Sequence, residues 1–351
     1  MERYNLMAVA FDFLKRLGSG YFGEVWHAVD TGLKCEVALK CIPPNKVLNE
    51  KNFFQEAQTL KSAEHPNVIR VNDTGTLDDG RIYVSMEYLS KGSIEDEASG
   101  APLPLSRALR LMIDVLRGLS HAHAQKIIHR DIKPANILIG KNDEGILSDF
   151  GLALPKVATV DLSYIKKYEY ILHLAPEVRT IKDYTIAADI YACGVTIYRL
   201  INGDSILTRH PIDRLPDLTR AGLFPPRDKY RYFIPLGLKR IINKAINVDP
   251  KKRFTSADEM RHALEHLDFH IDWTERITSN SIVWDGKHDN GLYFEVILQR
   301  LGPDFFNISV HKGKERTNLR RITKYSNSGI SKKDALRQCR EILQRLVTAN
   351  P

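Results

Sequence analysis

Cysteine is scarce and scattered in this chain of 351 residues, with four thiols and no CxxC pair. The spacing excludes a disulfide framework and a zinc site, and it predicts reduced thiols in a cytoplasmic protein. No apolar run reaches the ~18 residues that cross a bilayer; the longest candidate, around Ala192–Ile201, is interrupted by Arg199. The start, Met1–Asn5, lacks the basic and then apolar stretch of a signal peptide. We therefore expect no membrane contact.

Composition is that of an ordinary soluble globular protein, with 43% hydrophobic and 27% charged residues. At ~150 residues per domain, the length predicts two or three domains. The formal charge is +8, and residues 271–351 carry a disproportionate share of it, with 14 Lys/Arg against 9 Asp/Glu. Such a basic region indicates an anionic partner, nucleic acid among them, or, more commonly, only a solvated surface.

The first 270 residues divide into a strand-rich and a helical region. Apolar segments bounded by Gly, Asp or Pro predict strands at Phe13–Leu17, Gly23–Val29, Glu36–Cys41, Val68–Asn72 and Arg81–Tyr88, and helical spacing predicts a helix at Phe53–Ser62. From Leu105 onward, apolar residues recur every three or four positions, as at Leu109, Met112, Ile113, Leu116 and Leu119. A small sheet-rich lobe is therefore expected to precede a larger helical lobe.

A third region begins near residues 266–275. Ile282–Trp284, Tyr293–Arg300 and Asn307–Lys312 read as strands, and a helix is expected to begin after Ser331 as its N-cap. The later part of that helix carries an apolar stripe. The region is therefore predicted to be a small basic α+β domain.

Three glycines, Gly18, Gly20 and Gly23, lie between the first two predicted strands. Glycines let backbone N–H groups approach phosphate oxygens closely, although three glycines more often make only a turn. No helix follows them, which disfavours a dinucleotide site, and the pattern is not GxxxxGK[ST], which excludes a P-loop.

A lysine on the third strand gives the glycines a possible counterpart. Ala38 and Lys40, in the segment VALK, point to one face of the strand. Lys40 could reach anionic oxygens beneath the glycines, although a strand lysine is usually just solvated. If Lys40 is buried it needs a carboxylate, and Glu56 on the following helix is the candidate.

The segment IHRDIKPANIL, residues 128–138, is far more specific. Asp131 can accept a proton from a hydroxyl, and Lys133 can neutralise a phosphoryl group in transfer. Asn136 and, further on, Asp149 supply the hard oxygen ligands that suit Mg²⁺. Asp149 begins a DFG tripeptide that on its own would be read as an ordinary turn.

Together these motifs resemble, in order and separation, those of the eukaryotic-type protein kinases over residues 11–266. Leu174–Glu177, of sequence LAPE, completes the set. The resemblance implies an α+β, two-lobed kinase fold: an extension at 1–10, an N-lobe at about 11–88, a C-lobe at about 89–268, and a basic domain of unassigned role at 269–351. It also implies ATP and Mg²⁺ as cofactors and proteins as substrates.

The resemblance assigns roles by position. Gly18, Gly20 and Gly23 would cover the ATP phosphates, Lys40 would hold them and pair with Glu56, Asp131 would be the base, and Asn136 and Asp149 would ligate the metal. Adenine would lie between Val25, Ala38 and Leu138, with Met86 behind it and backbone contacts from Glu87 and Leu89. Glu177 would pair with Arg253, and Asp189 and Gly194 would brace the catalytic loop.

The motifs leave alternatives open for the acceptor and for the regulation. Lys133 is similar to the Ser/Thr-specific branch, but Tyr170 stands where those enzymes normally have Thr. Ser/Thr is favoured over tyrosine or dual specificity. Arg130 beside the base is typical of kinases that hold a phosphate on the activation segment, which predicts autophosphorylation between DFG and APE; packing alone is the alternative. Candidate acceptors there are Thr159, Ser163, Tyr164, Tyr168 and Tyr170.

Two other functions are alternatives to catalysis by a protein kinase. A non-catalytic ATP-binding scaffold is disfavoured because Lys40, Asp131, Asn136 and Asp149 are all present, and a small-molecule phosphotransferase is not expected to carry APE and Arg253. In the last region, Lys312–Arg316 and Ser331–Lys333 faintly resemble a double-stranded RNA-binding domain. A regulatory or substrate-recruiting protein contact is favoured there over RNA binding.

Overall fold

The computed structural model describes residues 11–20, 23–46, 54, 58, 61, 64–150, 172–181, 184–207 and 210–348. Its first unit is a five-stranded antiparallel sheet in the order β1-β2-β3-β5-β4. The strands are β1 (Phe11–Gly20), β2 (Gly23–Asp30), β3 (Cys35–Ile42), β4 (Val71–Thr76) and β5 (Ile82–Glu87). Alternation on β3 divides its side chains between two faces: Val37, Leu39 and Cys41 join a small cluster on one, whereas Ala38 and Ile42 join the main core on the other.

Glycine is needed where β2 begins beside β3. Gly23 has φ +140°, and a Cβ there would lie 2.1 Å from the carbonyl oxygen of Cys41. Only a residue without a side chain allows this approach of two backbones. The third glycine of the loop is therefore required by the strand pairing itself.

One predicted element of this lobe is described only in part, and another is displaced. Of the helix at Phe53–Ser62, the described residues Phe54, Gln58 and Lys61 are helical, and Glu56 lies outside the described residues. The predicted strand Val68–Asn72 is displaced: β4 begins at Val71, whereas Val68 and Ile69 pair with Leu147 of the next lobe. Their apolar character serves that contact between lobes.

The second unit is helical. Its helices are α1 (Ile94–Ala98), α2 (Leu105–Ala124), α3 (Pro176–Ile181), α4 (Ile186–Asn202), α5 (Leu215–Arg220), α6 (Leu236–Ala245) and α7 (Ala257–Glu265), with a hairpin of β6 (Ile137–Ile139) and β7 (Gly145–Leu147). The predicted stripe on α2 is confirmed, since Leu109, Met112, Leu116 and Leu119 are buried and Ile113 is partly buried against the same cluster. From Ala188 to its end, every residue of α4 is buried, so this helix is the centre of the lobe. No helix of the described residues is long and apolar enough to span a bilayer.

The last unit is a sheet in the order β12-β11-β10-β9-β8, with β13 also paired to β11. Its strands are β8 (Ile271–Ile277), β9 (Ser281–His288), β10 (Tyr293–Arg300), β11 (Phe305–Gly313), β12 (Arg320–Arg321) and β13 (Asn327–Ser331), followed by α8 (Lys332–Thr348). The three predicted strands and the helix are confirmed, with Ser331 Oγ accepting the Asp334 N–H. Strand β8 escaped prediction because only Ile271 and Trp273 of its residues are buried.

This C-terminal unit packs directly on the helical lobe. The Asp272 carboxylate accepts the Ser106 N–H at 2.9 Å from the start of α2. Glu275 pairs with Arg231 and also accepts the Trp284 indole N–H at 2.7 Å. One continuous hydrophobic cluster includes residues of both units. The C-terminal region is thus joined to the lobe by buried contacts as well as by the chain.

Candidate active site

A buried carboxylate on α4, that of Asp189, holds the loop that carries Asp131. Asp189 Oδ1 accepts the Arg130 N–H at 2.9 Å, and Asp189 Oδ2 accepts the His129 N–H at 2.8 Å. His123 Nε2, from α2, lies 2.9 Å from the same Oδ2. Arg130 adopts φ +72°, a conformation that costs free energy unless neighbours hold it. Two hydrogen bonds to Asp189, which His123 also contacts, therefore fix the backbone next to Asp131.

Asp131 shares one carboxylate oxygen with two donors. Lys133 Nζ lies 2.8 Å from Oδ2 and Asn136 Nδ2 lies 2.9 Å from it. Asn136 Nδ2 also reaches the Asp131 carbonyl oxygen at 2.7 Å. Among the described residues no group donates to Oδ1 of Asp131. The arrangement orients the carboxylate and leaves one of its oxygens able to accept a proton.

Asp149 connects the two lobes. Its Oδ1 lies 3.0 Å from the Nζ of Lys40 on β3. Burial opposes ionisation of this carboxyl, but the charge and hydrogen bond of Lys40 and the charge of Lys133 outweigh burial and hold the pKa of Asp149 below its ordinary value. Asp149 is therefore an anion at neutral pH.

A neutral histidine supports the segment that leads to Asp149. His129 Nε2 lies 2.9 Å from the carbonyl oxygen of Ser148, which can only accept, so Nδ1 is the acceptor of the Asp131 N–H at 3.3 Å. Burial lowers the pKa of His129, which agrees with a neutral ring. The ring also packs against Phe150, with centroids 4.4 Å apart.

Asn136 and Asp149 lie on adjoining segments and have the donor chemistry for a divalent cation. The Ser148 N–H and hydroxyl both donate to the Asn136 carbonyl oxygen, at 2.9 and 3.0 Å. The Nδ2 of Asn136 is engaged with Asp131, so its amide Oδ1 is the atom left for a ligand. An amide oxygen and an ionised carboxylate are hard ligands of the type that Mg²⁺ prefers.

Strand register brings the predicted nucleotide-binding side chains to one face of the first sheet. Val25 is opposite Lys40, and Ala38 is opposite Met86; opposed residues and residues two apart share a face. Leu138 and Leu89 belong to the same hydrophobic cluster as Ala38. Glu87, the last residue of β5, follows Met86 and lies opposite Val37.

The glycine hairpin lies at the end of this face. Gly18 is opposite Val25 and Gly20 is opposite Gly23 in the pairing of β1 with β2. No heavy atom lies within 4 Å of where a Cβ of Gly18 would be, so space is open beside that backbone. Glu56 and the segment 151–171, with Gly151 and the predicted phosphate acceptors, lie outside the described residues.

The predicted pair of Glu177 and Arg253 is confirmed. Two parallel contacts of 2.6 and 2.7 Å join the carboxylate to the guanidinium, whose side chain is fully buried. Arg253 also donates to the Ala187 carbonyl oxygen at the start of α4.

The sequence did not predict a role for His123, because a histidine between two alanines on a helix gives no periodic signal of its contact with Asp189.

A two-lobed fold with Asp131, Lys133, Asn136, Asp149 and Lys40 gathered between the lobes defines the class: a kinase-type phosphotransferase. The family model described as the protein kinase domain matches residues 11–267. The chain belongs to this family, whose members use ATP with a divalent cation.

Individual relatives agree with that assignment. The serine/threonine-protein kinase PknJ of Mycobacterium tuberculosis is 29% identical over 274 residues, 71% of this chain and 44% of that protein. PrkC of Bacillus subtilis, also a serine/threonine-protein kinase, is 30% identical over 259 residues, 71% and 39% of the two chains. The human tyrosine-protein kinase FRK is 30% identical over 208 residues, 57% and 40%. The chain therefore spans less than half the length of these curated relatives.

Proposed function

We propose that this protein is a Mg²⁺-dependent kinase that transfers the γ-phosphoryl group of ATP to Ser/Thr hydroxyls of proteins. One observation carries the proposal: Lys133 and Asn136 meet on a single oxygen of Asp131, and Asn136 is tied through Ser148 to the segment of Asp149. A base, a cation and two metal-type ligands are thus coupled in one network.

The nucleotide would bind on the face of the first sheet described above. Val25, Ala38 and Leu138 would enclose adenine, with Glu87 and Leu89 offering backbone contacts. In the described part of the chain the Leu89 N–H has no acceptor, so it is available to a ring nitrogen. Gly18, Gly20 and Gly23 would cover the phosphates, which Lys40, paired with Glu56, would hold.

Asn136 and Asp149 would hold Mg²⁺ through their side-chain oxygens. When bound, the metal neutralises charge on the phosphate oxygens. The charge of Lys40, 3.0 Å away, outweighs the burial of Asp149 and keeps its carboxylate ionised for this role.

Asp131 would accept the proton of the attacking hydroxyl through Oδ1, the oxygen to which no described residue donates. General-base assistance of this kind contributes about 10²–10⁴-fold to rate. Lys133, held 2.8 Å from the other oxygen, would orient the base and stabilise negative charge on the group in transfer. The rest of the acceleration would come from positioning.

Ser/Thr as the acceptor rests on Lys133 and on the names of PknJ and PrkC. Tyrosine or dual specificity is the alternative, because FRK is a tyrosine-protein kinase and Tyr170 stands where Ser/Thr-specific enzymes normally have Thr. Phosphoamino-acid analysis of a generic protein substrate decides between them: phosphotyrosine as the main product would overturn the Ser/Thr assignment.

The catalytic proposal is tested by Asp131→Asn in an assay with radiolabelled ATP. Transfer is expected to fall by at least 10²-fold while nucleotide binding persists, because Asp131 faces the acceptor. Asp228→Asn, a change of the same kind at a side chain that is 78% exposed, is the matched control. Equal transfer by Asp131→Asn and wild type would contradict the role of Asp131, and an absence of transfer by the wild type would support the alternative of a non-catalytic ATP-binding scaffold.

Two further assignments are part of the proposal. We infer a division into a kinase domain at 11–268 and a C-terminal domain at 269–351, supported by the family match that ends at residue 267. The C-terminal domain would meet a further partner, and the protein would act in the cytoplasm. Limited proteolysis that yields a stable fragment ending near residue 268 tests the division.

A further inference from the structure

Eight exposed cations follow one edge of the C-terminal sheet. They lie between residues 312 and 333, where the only acidic residue is Glu315. We call this stretch the basic edge. Its cations are Lys312, Lys314, Arg316, Arg320, Arg321, Lys324, Lys332 and Lys333.

Strand pairing places these cations along a line. β10 occupies one side of β11 over the length of that strand, so β12 and β13 both pair on the other side, one after the other. Arg320 is opposite Lys312, and Ser331 is opposite Phe305. These two places on β11 are about 23 Å apart, at ~3.3 Å per residue. The cations of the β11–β12 hairpin thus lie at one end of the edge, and Lys332 and Lys333 at the other.

The charges of the basic edge are not balanced by acids. Two other cations of this unit do have carboxylate partners: Arg276 lies 2.7 Å from Asp285, and Arg337 lies 3.2 Å from Asp334. Within the described part of the chain, Arg316 is the one member of the basic edge that forms an ion pair, with Asp285 at 3.5 Å, and Arg276 already engages that carboxylate. Lys333 interacts with Asp334 only at longer range. The edge therefore presents a positive field to an extended polyanion.

The middle of the edge differs from its ends. Asn327, Ser328 and Gly329 of β13 are exposed and uncharged. Cations at both ends of a polar stretch match two phosphate backbones on either side of a shallow groove lined with hydroxyls, which is the minor groove of A-form RNA. A flexible acidic peptide imposes no such fixed spacing, and B-DNA is read mainly by an element inserted in its major groove. We propose that the basic edge binds double-stranded RNA.

In the test, the full chain is titrated into a labelled RNA duplex of about 20 base pairs. Binding is measured by fluorescence anisotropy at salt concentrations from about 50 to 200 mM. The wild-type affinity is expected to fall steeply with salt. The double variants Arg320→Ala/Arg321→Ala and Lys332→Ala/Lys333→Ala should each weaken binding and reduce the salt slope by about two.

Lys251→Ala/Lys252→Ala is the matched control, because both side chains are exposed cations outside the basic edge; its slope should equal that of wild type. The proposal is wrong if the control loses as much as the edge variants, or if a DNA duplex of the same sequence binds as tightly. Displacement of the RNA by polyglutamate at equal charge would assign the edge to an acidic protein instead. None of these readouts depends on phosphoryl transfer.

Discussion

Lys40 Nζ and Asp149 Oδ1 lie 3.0 Å apart although 109 positions separate them in the chain. The lysine belongs to the sheet of the first lobe and the aspartate to the helical lobe, so the pair joins the two sides of the candidate cleft.

Replacing Lys40 by Met tests this relationship. Loss of the ammonium removes a phosphate contact and the main charge that lowers the pKa of Asp149, so that pKa should rise. We expect phosphoryl transfer to fall by about 10²-fold or more, in the range of a lost electrostatic contact in an active site. Steady-state kinetics measures the effect. Lys252→Met, at an exposed lysine, should retain the wild-type rate; a Lys40→Met enzyme of equal activity would contradict the assignment.

The pair of Glu177 and Arg253 should matter for stability. Glu177→Gln leaves a fully buried guanidinium without its counter-ion, which costs about 3–5 kcal/mol of unfolding free energy. Denaturant unfolding followed by circular dichroism measures the loss. Adding Arg253→Met should recover part of it, because the uncompensated charge is then removed; a single variant as stable as wild type would show that the pair contributes little.

Lys239 gives a prediction with a pH dependence. Burial, and then the charge of Arg340 on α8, lower the pKa of Lys239 to about 8. Between about pH 8 and the unfolded value of 10.5, the unfolded chain binds more protons than the folded chain, so stability from this group rises with pH. Lys239→Met should therefore raise the melting temperature at pH 7 by about 2–4 °C.

That gain should shrink as the pH rises from 8 to 10.5, because the wild-type lysine is then neutral in the folded state. Calorimetry of both proteins across this range is the measurement. Lys252→Met serves again as control, and a gain that does not change with pH would show that packing, rather than charge, accounts for it.

Autophosphorylation is expected between residues 152 and 174, a segment that begins outside the described residues. Arg130 stands beside Asp131, where a guanidinium can hold a phosphate on that segment. Mass spectrometry after incubation with ATP should find a modified residue there in the wild type and none in Asp131→Asn. An unmodified wild-type segment would leave packing as the means by which it is ordered.

The sequence predicted those structural features whose pattern lies within a single helix or strand. Alternation on β3 placed Ala38 and Lys40 on one face, and the stripe on α2 gave its buried side. Contacts between distant elements carried no such signal. Val68 and Ile69 looked like a strand because they are apolar, yet they pair with Leu147 of the other lobe.

The same limit applies to the site and to the C-terminal unit. The motif order predicted Asp131, Asn136 and Asp149, but His123 was missed because its partner Asp189 is 66 residues away. The docking of the C-terminal unit was missed as well, since Glu275 joins Arg231 and Trp284 through polar contacts that leave no pattern in a single strand.

The burial of α4 has a consequence for how the catalytic loop exchanges hydrogen with water. The amides of His129 and Arg130 donate to Asp189, whose helix has no exposed face after Ala187. Opening these two amides requires the centre of the lobe to open, so their protons should exchange with deuterium only as slowly as the whole domain unfolds. Heating should then abolish turnover and the native fold at one temperature, with no earlier stage in which the domain is folded but the catalytic loop is disordered.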